Sequence, residues 1–121
     1  MQRAINWFEI PSGDFERAVK FYETVFAVTL RRESMSDGQM GLFPYADPAT
    51  GGAVVRYEKF KPNPDGVVIY LNGGENLAEP LSRVEKAGGK VVMPKTGIGP
   101  NGFIAIFADS EGNRVGLHSM Q

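Results

Sequence analysis

At 121 residues the chain suffices for one compact domain and is too short for two independent ones. Its 13 basic and 14 acidic side chains leave a formal charge of -1, so no net field draws in nucleic acid or an anionic membrane. The absence of cysteine removes disulfides, thiolate nucleophiles and sulfur-ligated zinc.

In chain order, Ile5 to Ile10 reads as a strand that Pro11-Ser12-Gly13 ends with turn chemistry. Asp14 then caps a helix, FERAVKFYETVF, in which Phe15, Ala18, Val19, Tyr22, Val25 and Phe26 share one apolar face. Three strand-like runs follow, Thr29 to Glu33, Met40 to Pro44 and Ala53 to Tyr57, separated by Asp37-Gly38 and by a loop over Asp47 to Gly52. The order is β-α-β-β-β.

The second half repeats it. Val67 to Asn72 is an apolar strand, and Asn76 caps a helix from Leu77 to Ala87, with Glu79 placed as in a capping box and Gly88-Gly89 as the left-handed stop. Lys90 to Met93, Phe103 to Phe107 and Arg114 to His118 complete the strands. Between the first two lies a Gly/Pro-rich loop, Pro94 to Gly102, whose KTGIGPNG stretch from Lys95 is read either as a flexible lid or as an ordinary hairpin connection. The halves align at a nearly fixed offset: 60 residues from Trp7 to Val67, 62 from Asp14 to Asn76 and 64 from Phe43 to Phe107. A faint repeat of this length indicates duplication of one supersecondary unit, with module one over about residues 1–60 and module two over about 61–121.

FEIPSGDFERAVKFYETVF resembles the opening strand and helix of the glyoxalase/bleomycin-resistance (vicinal oxygen chelate) superfamily, and DSEGNRVGLH resembles its closing turn and last strand. With the Gly-Gly that ends the second helix, the likeness spans the chain. The resemblance implies an α+β fold in which two βαβββ modules form a curved mixed sheet around an open cup, with helices outside. It also implies a homodimer, whose modules pair within one chain or between two. Metal-dependent members hold a divalent ion in the cup with His, Gln or Glu. Carried over one by one, three of those positions fall on Trp7, Val67 and Gly116, none of which offers a donor atom, and Glu58 is the only acid near the fourth. No metal or other cofactor is therefore expected at the usual places.

Strand alternation groups Trp7 with Glu9 and Arg114 with Gly116 and His118, and the resemblance turns both groups into the cup. Glu9 is then a candidate general base, or a carboxylate simply paired with an arginine. Trp7 could stack on a flat ligand or plug the metal's place, Arg114 and Tyr70 are polar handles, and His118 is a ligand contact or a surface side chain. The expected function is binding of a small organic molecule in the cup. The alternatives are a glyoxalase-type lyase or isomerase, with Glu9 as base or a relocated metal site, and a dimerisation module whose cup is filled. No nucleic-acid or membrane partner is expected. The start of the chain lacks a secretory pattern and no apolar run reaches spanning length, so a cytoplasmic location is the expectation.

Overall fold

The computed structural model describes residues 3–121. Strand β1 (Trp7–Pro11) leads through Ser12 to Asp14 into helix α1 (Phe15–Phe26), followed by β2 (Arg31–Met35), β3 (Gly38–Leu42) and β4 (Gly51–Tyr57). The second module contains β5 (Tyr70–Asn72), α2 (Ala78–Leu81), β6 (Lys90–Gly97), β7 (Phe103–Ala108) and β8 (Arg114–Ser119). Each module builds its own four-stranded sheet in the same order, β1-β4-β3-β2 and β5-β8-β7-β6, with the first strand parallel to the last and the rest antiparallel. The expected two-module α+β architecture is what the chain forms. Among the described residues no helix is long and apolar enough to cross a membrane.

Helix α1 begins and ends as its sequence dictates. Asp14 is extended, and its Oδ1 accepts the Arg17 N–H at 3.1 Å. At the other end Ala27 adopts a left-handed conformation, φ 55°, and Glu23 closes the turn by accepting the Leu30 N–H on its side chain at 2.9 Å. The second helix is shorter than the Leu77-to-Ala87 span expected from its apolar spacing. Asn76 does cap it, accepting from Ala78 N–H at 2.9 Å, but no reciprocal bond from Glu79 completes a capping box among the described residues. Beyond Ser82 the backbone bonds are mainly three residues apart (Arg83 to Pro80, Val84 to Leu81, Gly88 to Glu85), with Ala87 shared between Arg83 and Val84, and only one turn is regular α-helix. Gly88, φ 107°, supplies the stop, after which Gly89 N–H returns to the Val84 carbonyl.

The two sheets turn the same kind of face toward one core. Ile10 and Val54 from the first sheet, and Ala105, Phe107, Val115 and Leu117 from the second, join α1 in a single buried cluster. Tyr22 touches Phe43 of module one and Phe107 of module two, with ring centroids 5.6 and 6.4 Å apart. Phe21, outside the expected apolar face, is buried against Phe107 as well. The helix is thus sandwiched between the sheets rather than lying outside both, and it buries two sides instead of one. By alternation, the opposite faces of the two sheets point away from each other.

The seam between modules is polar and fully bonded. Asp109 accepts from Tyr22 Oη, from the backbone N–H of Glu111 and Asn113, and from Asn113 Nδ2, which also reaches the Pro11 carbonyl. Glu111 collects the N–H groups of Gly13 and Asp14 and the Arg17 guanidinium. Burial pushes the Glu111 carboxyl up, but the Arg17 bond, these two amides and the Ser110 hydroxyl outweigh it and hold the carboxyl down to about 2. The DSEGN turn of one module is in this way the anchor for the first helix of the other.

Candidate functional site

The outer face of the first sheet is where strand alternation concentrates chemistry. The register pairs Trp7 with Gly51 and Glu9 with Ala53, so Trp7 and Glu9 stand beside Leu42, Ala53 and Val55, which form a small apolar floor with Met40 and Tyr57 packed on it. Gly51 has a specific task here. A Cβ at that position would fall 2.4 Å from the Tyr45 ring, so only glycine lets Tyr45 lie down next to Trp7. The two rings meet edge to face with centroids 5.9 Å apart, and they remain 36% and 48% exposed.

Glu9 is half-buried, and its Oε2 accepts from the Trp7 indole N–H at 3.3 Å. No basic side chain lies within ion-pairing distance of it among the described residues, so the arginine partner weighed from sequence is absent. Tyr57, on the same face, has its hydroxyl pKa raised by burial and by the charges of Glu9 and Asp37, which keeps it a neutral donor.

The outer face of the second sheet carries the other candidates. Tyr70 lies flat on Gly116, where a Cβ would come within 2.3 Å of its ring, which accounts for the glycine in mid-strand. Arg114 is exposed at the start of β8 with no side-chain bond among the described residues. The His118 Nε2 sits 2.7 Å from the Asn101 carbonyl oxygen, which can only accept, so that nitrogen carries the proton. This bond ties the Gly99–Asn101 turn to β8, while Ile98 N–H to the Gly102 carbonyl closes the turn itself. Pro94 to Gly97 of the expected loop extend β6, and the remaining residues form a short hairpin connection to β7.

Within one chain, then, Trp7 and Glu9 belong to one outward face and Tyr70, Arg114 and His118 to the other. Glu9 and Arg114 do border a common small cleft of about 330 Å³ beside the linker, with Lys61 and Asn63. The larger cavity, about 1150 Å³, lies elsewhere: it opens on the helix side between β1 and β5, walled by Phe8, Phe26, Phe43, Ile69 and Leu71. Of the site positions singled out from sequence, Tyr70 and Val67 border it. That cavity is walled mainly by apolar side chains and is lined by none of Glu9, Arg114 and His118, although it shares Val67 and Ile69 with the smaller cleft.

The family's metal positions do not fit an ion. The same backbone bond closes both first strands, Ser12 N–H to the Val55 carbonyl and Gly73 N–H to the His118 carbonyl, which matches Trp7 with Val68 and Glu9 with Tyr70. Val67, the match read from the offset, precedes the strand and is 91% exposed. Neither valine has a donor atom, Trp7 offers an indole, and Gly116 is roofed by Tyr70. Among the described residues no three His, Asp or Glu side chains converge on a point that could hold a metal.

Sequence reasoning missed Tyr45. The signal available was the Gly51-Gly52 pair, read as the end of a loop, whereas both glycines lie in β4 where an aromatic ring covers each of them. It also read Tyr22 only as an apolar contact, whereas its hydroxyl anchors Asp109.

The family model described as Glyoxalase/Bleomycin resistance protein/Dioxygenase superfamily matches residues 4–117. Among solved structures, TnmS3, an antibiotic binding protein from Streptomyces sp. CB03234, is 23% identical with a TM-score of 0.70, over 98% of this chain and 97% of that one. The trypanothione-dependent glyoxalase I of Leishmania major is 18% identical with a TM-score of 0.67, over 98% of this chain and 87% of that one. Glyoxalase I from Zea mays is 22% identical with a TM-score of 0.67; the alignment covers 94% of this chain but only 45% of the maize protein, so this chain spans less than half of that enzyme. At these identities the likeness establishes the fold alone. No curated protein matches the chain.

Proposed function

The chain belongs to the Glyoxalase/Bleomycin resistance protein/Dioxygenase superfamily, and from that premise we propose that it binds a small organic molecule against the outer face of its first sheet, without a metal at the usual positions. The observation that carries this reading is the exposed Trp7–Tyr45 pair standing beside Glu9 on a buried apolar floor. Aromatic surface with one convergent polar group is what small-molecule sites are made of. The similar fold of an antibiotic binding protein supports binding without turnover.

The second wall of the cup comes, in this proposal, from another copy. Within a chain the two outer faces diverge, whereas β1 and β5 are edge strands whose only pairings among the described residues are to β4 and β8. Ile5, Val67, Val68 and Tyr70 are exposed along these edges, and the 1150 Å³ cavity opens between them. Exposed apolar edges are templates for association. A two-fold pairing of β1 with the partner's β5 would use both edges twice and set the Trp7 face opposite a Tyr70 face.

A glyoxalase-type lyase or isomerase is the second reading, favoured by a single feature: Glu9 is free of ion pairs on an apolar face, as a general base would need. Trp7 is the sole tryptophan, so its emission reports on the site directly. Screening aromatic compounds by that emission should find saturable binders, and calorimetry should show at least a tenfold loss of affinity on Trp7→Ala. Unchanged affinity would remove the site from this face. Should a substrate emerge, full turnover by Glu9→Gln would eliminate the base.

A further inference from the structure

We infer that the Trp7–Tyr45–Glu9 face selects aromatic organic cations, such as quaternary ammonium or amidinium compounds; this rests on the binding reading above and names its ligand class. The ring faces of Trp7 and Tyr45 carry negative quadrupole density toward whatever lies on them, and both rings are substantially open. The carboxylate beside them is held in place by the indole N–H and has no positive side chain within salt-bridge distance among the described residues. Arg114 and Lys61 line the cleft on the other flank of Glu9, yet neither closes an ion pair with it. A half-buried carboxylate with no ion pair of its own, beside two partly exposed aromatic rings, is satisfied by a cation with a flat apolar body. A neutral ligand would leave the carboxylate desolvated and unpaired, and an anion would be repelled.

The floor makes the approach to this face one-sided. Leu42, Ala53 and Val55 close its floor, so a ligand enters only from the outer side, and Gly51 fixes where Tyr45 stands relative to Trp7. The cationic group must reach Glu9 while the ring lies against the indole.

Three probes of one shape separate charge from bulk: benzyltrimethylammonium, its neutral isostere neopentylbenzene, and the anionic phenylmethanesulfonate. They are titrated against the whole protein with tryptophan emission as readout and calorimetry as check. The cation should perturb Trp7 emission saturably and bind about tenfold tighter than the neutral isostere, with the sulfonate weakest. Glu9→Gln should erase that preference and leave neutral affinity within about twofold. If the neutral or anionic probe binds as tightly as the cation, or the preference survives Glu9→Gln, the ligand class is wrong while the binding face stands. If no probe perturbs Trp7, both readings fall. If Glu9→Gln dissociates a dimer and leaves the probe ratio unchanged, the carboxylate serves the partner chain and the inference is overturned.

Discussion

The Tyr22 hydroxyl donates a 2.7 Å hydrogen bond to Asp109 Oδ2, joining the first helix of one module to the closing turn of the other. Both side chains are buried, and burial together with the neighbouring carboxylate raises the Tyr22 pKa well above its ordinary value. The phenol therefore stays protonated as a donor throughout the accessible pH range.

Removing that donor should loosen the joint between modules. Tyr22→Phe keeps the ring contacts with Phe43 and Phe107 and leaves Asp109 Oδ2 with only the 3.1 Å bond from Asn113. A charge-assisted bond of this kind is worth about 1.5–3 kcal/mol. Urea denaturation should show a lower midpoint with an unchanged slope, and an unchanged midpoint would make the bond incidental.

Acid should weaken the same seam through Glu111. Its carboxyl is held down to about 2 from an ordinary 4.5, so its contribution is complete above about pH 4.5 and fades as pH falls toward 2. The Glu111 side chain is 1% exposed, but its Arg17 partner is 58% exposed, so solvent screening trims the effect to about 2 kcal/mol. Glu111→Gln should be less stable than the parent at pH 7 and approach it near pH 2. Parallel stability curves for the two proteins would contradict this.

Divalent ions should leave the protein unchanged. Titration with nickel, zinc, manganese and iron(II) should give no stoichiometric uptake and less than about 1 °C change in Tm, since a ligand that binds only the native state must stabilise it. A saturable rise in Tm would show that donors other than those at Trp7, Val68 and Gly116 assemble a site.

The edge strands should hold two copies together. Light scattering should give twice the monomer mass, and Val68→Lys should shift the protein to monomer while leaving its far-UV circular dichroism intact. A monomeric parent protein would remove the second wall of the proposed cup.

Much of this was legible in the chain itself. Asp14 and the apolar spacing from Phe15 to Val25 locate α1 to the residue, because capping and amphipathic periodicity act within a few positions. The 64-residue match of Phe43 with Phe107 survives, since each follows the same position in its module's third strand. The shorter offset does not: the ladder with β8 runs from Tyr70, with Ile69 only accepting the Gly116 N–H ahead of it, and Val67 lies outside the strand. The second helix is regular for only one turn although Leu77 and Val84 are both buried in the core, because apolar spacing does not distinguish α turns from i→i+3 turns.

The sequence by itself determined the repeat, the first helix, the turn that anchors it and the lack of donor atoms at the usual metal positions. These are local properties, set by side-chain identity and by bonds between near neighbours. Only the tertiary structure decided that α1 lies between the sheets, because Phe21 is buried by Phe107 of the second sheet, which no helical periodicity encodes. For the same reason it alone placed Trp7 and His118 on faces that point apart, and brought Tyr45 onto Gly51 beside Trp7. A side chain's direction follows from its own strand, but what it faces is fixed by where distant elements pack.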